Sequence, residues 1–240
     1  MSGLIRLFVD HALAPGQSVP VSQPQAHYLF AVMRLGVGAE LAVFNGSDGE
    51  WRVEVAEAGK RGGTLSCIEQ TRPHTMPPDL WLLFAPVKKA RTDFIVEKSV
   101  EMGAARIQPV ATDRTNSERI RQDRLQTHAL EAAEQCGATY VPEVADLKRL
   151  DRMLADWPED RRLLFCDEGA AGDGLSLPEP DGQGWAILIG PEGGFSLAER
   201  DRLRALPYAH SIALGPRILR ADTAAVAALT LWQSHLGDWT

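Results

Sequence analysis

Short apolar runs that carry no internal charge alternate with helical patterns over the last two thirds of the chain, and this alternation constrains the fold most. The runs are LWLLFAPV at 80–87, RIQPV at 106–110, RLLFC at 162–166 and AILIG at 186–190. Strands of this kind are buried on both faces, so the pattern predicts an α/β fold with a parallel sheet covered by helices on both sides. Ligands of such sheets bind beyond the carboxyl ends of the strands.

The helical patterns of this region have recognisable ends. Two of them stop at Gly103 and Gly137, and a third begins near Leu197. Glycine commonly ends a helix because it tolerates the left-handed conformation. A strand SIALG at 211–215 and a last helix from Thr223 to Leu236 complete the series. That helix places an apolar stripe on one face, formed by Ala225, Ala228, Leu229, Trp232 and Leu236.

The first seventy or so residues follow a different pattern. Strand-like segments LIRLFVD, ELAVF, WRVEVAEA and GGTLSCIEQT surround one helical segment, PQAHYLFAVMRLG, and the NGSDGE stretch is a strong hairpin signal. Several strands and one helix in this length predict a compact β-barrel. The proline-rich RPHTMPP can continue neither a helix nor a central strand. We therefore expect domains at 1–73 and 74–240.

Composition excludes several classes of function. The longest apolar run falls far short of the ~20 residues that span a bilayer, and Arg6 and Asp10 interrupt a signal-peptide pattern, so a cytoplasmic protein is expected. The 3 cysteines and 6 histidines show no metal-ligand spacing, and each cysteine is interpreted as a small buried hydrophobe. No metal site is expected. The net charge of −7 argues mildly against a nucleic-acid partner, so any RNA contact depends on local basic clusters.

One strand end carries a glycine-rich turn around a single carboxylate. The run AILI leads into GPEGG at 190–194, and Ser196 then starts a helix with Glu199 in capping-box spacing. Glycines at 190, 193 and 194 would allow positive φ and a close approach of the backbone to a ligand. A tight strand-to-helix turn that needs no ligand explains the composition equally well.

A second strand end, in SIALGPRILRADTAAVAAL at 211–229, carries two arginines. Arg217 and Arg220 flank the apolar pair Ile218 and Leu219, and Asp222 or Thr223 can cap the following helix. Arginine holds an anion in a defined plane, so a flat group could lie beside two positive charges. Two surface arginines in a loop are the alternative. Dinucleotide, P-loop and nucleophile-elbow motifs are absent from the sequence, which removes support for those chemistries.

Together the two strand ends resemble a known pair of motifs. LIGPEGGF at 188–195 and ALGPRILRADTA at 213–224 are similar to the paired signature of the RsmE family, the 16S rRNA uridine N3-methyltransferases of the SPOUT superfamily. Further similar segments occur in the same order along the chain, namely RLFV, HYLFAVMRL, EKSVEMGAARIQPV and EAAEQCG.

The resemblance implies an architecture and a reaction. It implies a PUA-like barrel that binds RNA, followed by a trefoil-knotted parallel-sheet domain, in a homodimer. It also implies that the knot loops hold S-adenosyl-L-methionine and that the product is 3-methyluridine at position 1498 of 16S rRNA in the small ribosomal subunit. Uracil N3 carries a proton at neutral pH, so the reaction needs a base or a cation that stabilises the uracil anion.

Roles then follow for individual residues. Arg220 is expected to hold the uracil, Glu192 to remove its proton and Arg217 to support catalysis, whereas a Glu192–Arg220 salt bridge that only pins the loops is the alternative. The expected cofactor-binding residues are Leu188, Gly190, Gly193, Leu214, Gly215, Ile218, Leu219 and Thr223. The expected RNA-binding residues are Arg6, Arg34, Lys88, Lys89 and Arg91. Arginines 114, 119, 121 and 124 are interleaved with acids, as in a solvated ion-pair face.

Two departures from the family pattern affect these roles. Asp222 stands where family members often have a glutamate, and Ala138 stands where many have an arginine. Two other functions remain open from the sequence. One is a SPOUT methyltransferase for another RNA atom, such as a ribose 2′-hydroxyl. The other is a catalytically silent RNA-binding assembly factor.

Overall fold

A computed structural model describes residues 4–117, 119–167, 169, 177, 179 and 182–239. The chain divides into two compact units. The first comprises Met1–Met76 with Ala133–Val141, and the second comprises Pro77–Ala132 with Pro142–Thr240. The change of unit at Met76 falls within the predicted linker. The glycine-rich loop predicted at 169–174 lies, beyond Gly169, outside the described residues.

The first unit contains a five-stranded sheet in the order β1-β3-β4-β5-β2. Its strands are β1 (Arg6–Phe8), β2 (Ser18–Val21), β3 (Glu40–Phe44), β4 (Glu50–Gly59) and β5 (Gly62–Arg72). β1 pairs with β3 in parallel, and the other pairs are antiparallel. Alternate side chains of these strands, among them Leu41, Val53 and Leu65, form an apolar core. The predicted strands are confirmed, and β2 is an addition.

One helical segment packs on this sheet, as the sequence predicts. It begins as α1 (Gln23–Ala26) and continues as a wider π-helical turn over His27–Val32. Leu29 points into the core and is fully buried, whereas Val32 and Met33 are exposed. Arg34 follows with φ of 57°, a left-handed conformation that a residue with a side chain rarely adopts.

The second unit is built on a parallel sheet in the order β12-β10-β11-β6-β7-β8, with β9 beside β7. Its strands are β6 (Leu80–Phe84), β7 (Arg106–Ala111), β8 (Glu143–Val144), β9 (Lys148–Arg149), β10 (Arg161–Cys166), β11 (Gly184–Ile189) and β12 (Ala209–Ile212). Its helices are α2 (Lys89–Glu101), α3 (Gln122–Cys136), α4 (Leu150–Ala155), α5 (Leu197–Arg204) and α6 (Ala221–His235). The predicted parallel sheet is therefore confirmed.

Helices α2 and α6 pack against each other. Ala225, Ala228, Leu229 and Trp232 of the predicted stripe are buried. The Gln233 amide donates a 2.6 Å hydrogen bond to the carbonyl of Met102, one of the carbonyls that the end of α2 leaves unpaired. Gly103 follows with φ of 74° and Gly137 with φ of 83°, so both predicted helix ends are confirmed.

Several element boundaries differ from the predictions. β12 spans Ala209–Ile212 rather than the predicted 211–215, because the chain leaves the sheet before the Leu-Gly-Pro turn. α6 begins at Ala221 with Arg220 as its N-cap, so neither Asp222 nor Thr223 caps it. α3 begins at Gln122 rather than at Ser117, where the predicted helical segment SERIRQDRLQTHALEAAEQCG starts. Among the described residues no helix is long and apolar enough to cross a membrane.

Candidate functional site

The two signature loops follow β11 and β12 at the same edge of the sheet, with β10 between these strands. β12, β10 and β11 are adjacent and parallel, so their carboxyl ends open together. The GPEGG turn follows β11, the second loop follows β12, and Cys166 and Asp167 end β10 between them. Three strand ends at one edge form the kind of crevice in which α/β proteins bind ligands.

A pocket with about 570 Å³ of empty volume, which includes the open solvent at its mouth, lies at this edge. Both loops and the end of β10 line it, through Cys166, Asp167, Ile189, Gly190, Pro191, Phe195, Ala213, Leu214, Gly215, Arg217, Ile218, Leu219, Ala221 and Ala224. Apolar side chains and glycine backbone make part of the walls, and Asp167 and Arg217 add charged groups.

Packing against Phe195 explains the glycine at position 190. A Cβ at Gly190 would lie 2.8–3.2 Å from carbons of the Phe195 ring. That ring is buried and packs edge-to-face on Phe165 at 5.0 Å between ring centroids. The expectation of positive φ throughout the turn is wrong, because only Gly194, with φ of 64°, has it among the three glycines. Position 190 requires glycine because a Cβ would meet the Phe195 ring. Position 194 requires glycine because its φ is positive.

The loop after β7 braces the GPEGG turn. Arg114 donates a 2.8 Å hydrogen bond to the carbonyl oxygen of Gly193. The Ser196 hydroxyl donates to the Asp113 carboxylate at 2.7 Å, and the Asp113 N–H donates to Glu199 at 2.8 Å. The predicted capping box between Ser196 and Glu199 is confirmed as well. Arg114 therefore supports the turn rather than a solvated ion-pair face, a role that no local spacing in the sequence indicates.

The second loop presents its arginines differently. Gly215 has φ of 104°, which the turn after β12 requires. Arg217 lines the pocket, and Ile218 beside it is 81% exposed. Arg220 is exposed at the N-cap of α6 and is not among the residues that line the pocket. The two arginines are thus available to a flat group placed over the loop.

Glu192 faces a cation from another element. Its Oε1 lies 3.8 Å from Nη1 of Arg91, and Nε of the same arginine lies 3.7 Å from Oδ2 of Asp222. Arg91 comes from the first turn of α2 and lies between the two carboxylates. The salt bridge considered from the sequence, between Glu192 and Arg220, is replaced by one between Glu192 and Arg91.

The end of β10 contributes two residues that the sequence did not indicate. Asp167 is buried, accepts hydrogen bonds from Arg204 and from the N–H of Gly169, and lies 3.7 Å from Arg200. Burial raises the pKa of the Cys166 thiol to about 12, so the thiol is protonated at neutral pH. Of the other cysteines, Cys67 is buried as predicted and Cys136 is exposed, contrary to the prediction.

The structure brings together most of the predicted cofactor-binding residues. Those that line the pocket are Gly190, Leu214, Gly215, Ile218 and Leu219. Leu188 instead packs in the core, Gly193 lies under the aliphatic part of Arg114 and Thr223 is exposed on α6. These three residues lie outside the lining of the pocket. Ile189, Ala221 and Ala224 are lining residues that the sequence missed, each one or two positions from a predicted residue.

Arg6 is withdrawn from the predicted RNA contacts. Its side chain is 14% exposed and its Nε donates a 2.6 Å hydrogen bond to Glu50. Its Nη1 donates to the carbonyls of Ala133 and Glu134, and its Nη2 donates to the carbonyl of Ala138. A guanidinium committed in this way cannot bind a phosphate. Arg34, Lys88 and Lys89 are exposed and Arg91 is partly exposed, so these remain predicted contacts.

The described part of the chain contains no group of three or more His, Cys, Asp or Glu side chains arranged to hold a metal ion.

Comparison with known proteins places the chain among RNA methyltransferases. Residues 74–233 match the family model of the RNA methyltransferase domain, and residues 21–66 match that of the RNA methyltransferase PUA domain. A ribosomal RNA small subunit methyltransferase E from Rickettsia conorii is 27% identical over 231 residues, covering 93% of both chains. The corresponding protein of Synechocystis is 30% identical over 223 residues, covering 88% of this chain and 71% of that protein.

Two solved structures show the same fold over nearly the whole chain. The ribosomal RNA small subunit methyltransferase E from Neisseria gonorrhoeae bound to S-adenosylmethionine has a TM-score of 0.87 and 25% identity, covering 99% of this chain and 100% of that chain. A methyltransferase from Legionella pneumophila in complex with the same cofactor has a TM-score of 0.86 and 27% identity, covering 98% and 99%. The N-terminal unit is thus PUA-like, and the parallel-sheet unit has the fold of these methyltransferases.

Proposed function

Because the chain belongs to the ribosomal RNA small subunit methyltransferase E family, we propose that it methylates N3 of a uridine, position 1498, in 16S rRNA of the small ribosomal subunit, with S-adenosyl-L-methionine as methyl donor. The observation that carries this proposal is the pocket between the two signature loops. Relatives of the same fold over nearly the whole chain are solved with this cofactor bound.

The lining residues fit an adenosine-sized ligand. Ile189, Phe195 and Leu219 supply apolar surface for a flat ring, while Gly190 and Gly215 expose backbone at the rim. Polar backbone groups beside an apolar wall are typical of small-molecule sites. When bound, the cofactor supplies an electrophilic methyl group whose carbon–sulfur bond breaks as N3 attacks, with the electron pair remaining on sulfur.

The protein then has to prepare uracil N3 for attack. N3 becomes nucleophilic only after its proton leaves, and the resulting negative charge spreads to the flanking carbonyl oxygens. We assign Glu192 as the proton acceptor, because it is an exposed carboxylate one residue from the pocket wall at Pro191. We assign Arg220, with Arg217, to hold the uracil through those oxygens. No covalent adduct is needed, which agrees with a Cys166 thiol that stays protonated.

The assignment to Arg220 is tested by methyl transfer from labelled cofactor to small subunits that lack the modification. Arg220→Ala should reduce kcat by about a hundredfold or more, because a charged donor to a developing anion is worth about 10²–10³ in rate. Cofactor affinity, measured by calorimetry, should change little, since Arg220 lies outside the pocket lining. Unchanged turnover would remove this assignment.

The atom that is modified is tested separately. Nucleoside mass spectrometry of 16S rRNA from a strain without the gene should show the loss of 3-methyluridine. Persistence of 3-methyluridine would contradict the proposal, and loss of a 2′-O-methylnucleoside instead would favour the ribose reaction. Failure of the wild-type chain to bind the cofactor would favour the silent assembly factor. Homodimer formation, the trefoil knot and a cytoplasmic location remain predictions.

A further inference from the structure

A second recess is lined by polar and charged residues, one of which belongs to the GPEGG turn. It contains about 640 Å³ of empty volume, which includes open solvent, and is lined by Lys88, Arg91, Asn116, Ser117 and Glu192. These residues come from the start of α2, the loop after β7 and the turn after β11. We call this space the acceptor recess. None of the predicted cofactor-binding residues lines it.

Residues that line the recess are adjacent in sequence to residues that line the pocket. Pro191 lines the pocket and Glu192 lines the recess, and consecutive Cα atoms are only about 3.8 Å apart. The same relation occurs at α6, where Ala221 lines the pocket and the next residue, Asp222, pairs with Arg91. A group in the recess would therefore lie beside both loops that enclose the cofactor pocket.

Unused hydrogen-bond donors face this space. Within the described part of the chain, the Lys88 ammonium, the Arg91 guanidinium and the Asn116 amide make no hydrogen bond with other residues. The separations of Arg91 from Glu192 and Asp222, 3.8 and 3.7 Å, exceed hydrogen-bond length. The two carboxylates thus hold the guanidinium in place electrostatically and leave its N–H groups for another acceptor. Ser117 differs, since its hydroxyl donates to the carbonyl of Val87 at 3.0 Å.

We propose that the acceptor recess binds the target uridine nucleotide, with Arg91 stabilising the uracil anion in addition to Arg220 and Arg217 of the second loop, Lys88 contacting a phosphate and Asn116 donating to a uracil carbonyl. This inference rests on the proposed function and extends it to the substrate. Two cationic side chains and one amide suit a nucleotide, because its phosphate is an anion and its base becomes an anion when N3 loses a proton. The proton of N3 passes to Glu192, which lies on the wall of the same recess.

Arg91 has a second effect, because its positive charge offsets the repulsion between the two carboxylates with which it pairs. Removing the cation would leave Glu192 and Asp222 near each other without their shared counter-charge, and like charges repel. Arg91→Lys keeps the charge but lacks the planar set of donors, whereas Arg91→Gln keeps hydrogen-bonding capacity and loses the charge. The two variants therefore separate charge from geometry.

The test uses the full chain, labelled cofactor and small subunits lacking the modification. Arg91→Gln should lower kcat/KM for the subunit by about ten- to a hundredfold, the loss that follows removal of a charged hydrogen-bond partner. Asn116→Ala and Lys88→Gln should act mainly on KM. Cofactor Kd should stay within about twofold of wild type in all three. Lys98→Gln is the matched control, since this lysine of α2 pairs with Glu101 at 2.7 Å outside the recess.

The pH dependence distinguishes anion stabilisation from a merely structural role. If Arg91 stabilises the uracil anion, the ratio of wild-type to Arg91→Gln rate should fall as pH rises, because hydroxide removes the N3 proton without help. Parallel profiles, or kinetics of Arg91→Gln equal to those of Lys98→Gln, would overturn the proposal for the recess. A wild-type chain that transfers no methyl group to N3 would instead overturn the proposed function, so the two failures are distinguishable.

Discussion

At position 190, a single glycine hydrogen leaves room for a phenylalanine ring. The edge-to-face pair of Phe195 and Phe165 fills the space where a Cβ would project. The wall of the cofactor pocket at Gly190 is thus shaped by the packing of Phe195 on Phe165. A methyl group at this position would push the ring against a core that has no room to yield.

Gly190→Ala should therefore weaken cofactor binding by about tenfold or more and lower the free energy of unfolding by about 1–3 kcal/mol, the usual cost of overpacking. Gly193→Ala is the matched comparison, because its Cβ would meet Arg114 only at 3.6 Å, an ordinary contact. Calorimetry with S-adenosylmethionine and urea denaturation measure the two effects. Equal affinities in the two variants would contradict the steric explanation.

At the residue scale, the sequence predicted which segments form the site more accurately than it predicted which residues contact one another. Glycine 190 was expected to bind cofactor because of its backbone freedom, but the structure shows that space is the reason. The partner of Glu192 was missed because Arg91 lies about a hundred positions earlier, and no spacing rule relates a turn to a helix so far away. Arg6 was misjudged for the same reason, since its acceptors are distant backbone carbonyls.

The GPEGG turn depends on a neighbouring element as much as on its own glycines. The loop after β7 contributes Arg114 and Asp113, which hold the Gly193 carbonyl and the start of α5. Loops that bind ligands usually owe their precision to such support. The brace therefore fixes one wall of the cofactor pocket from outside that pocket.

Arg114→Gln should raise the cofactor Kd by about five- to tenfold, since one charged hydrogen bond that positions the turn is lost. Its effect on kcat at saturating cofactor should be small, because Arg114 does not line the pocket or the acceptor recess. Arg121→Gln provides the matched control, as this arginine pairs with Asp123 in solvent. A kcat defect without a change in Kd would show that the brace has another role.

Elements whose composition is dictated by burial were predicted well. β6, β10 and β11 lie inside the sheet, so their side chains must be apolar on both faces, and this leaves a clear signal. β8 and β9, two residues each, are too short to show any period. The start of α6 was misplaced because its cap, Arg220, is not a residue type that normally caps a helix.

At the scale of the whole molecule, a cluster of charged side chains joins the strands of the first unit to its segment Ala133–Val141 through hydrogen bonds. Glu50 is nearly buried and accepts hydrogen bonds from Arg72, Arg6 and Thr71. Arg6 and Arg72 donate in turn to the carbonyls at the end of α3 and just after it. Burial opposes the charged form of Glu50, but these three donors outweigh it and lower its pKa to about 2.

This lowered pKa predicts how stability depends on pH. A carboxylate with a depressed folded pKa stabilises the fold above its unfolded pKa of 4.5, and the stabilisation is lost as pH falls towards 2. The contribution is on the order of 3 kcal/mol. Glu50→Gln should therefore be less stable than wild type at pH 7, with the difference shrinking on acidification. Urea denaturation measures this, with Glu54→Gln, an exposed carboxylate on β4, as control.

The cluster of Arg6, Glu50 and Arg72 also sets an order of assembly. Its carbonyl acceptors belong to Ala133–Val141, which the ribosome makes only after the first strands and helix of the second unit. Protein domains usually fold in the order of synthesis. In this chain the unit that is begun first cannot complete this cluster first, because Arg6 and Arg72 lack their carbonyl acceptors until residues 133–138 have been made. The hydrogen bonds of this cluster are therefore completed only by a helix end encoded far downstream of the strands.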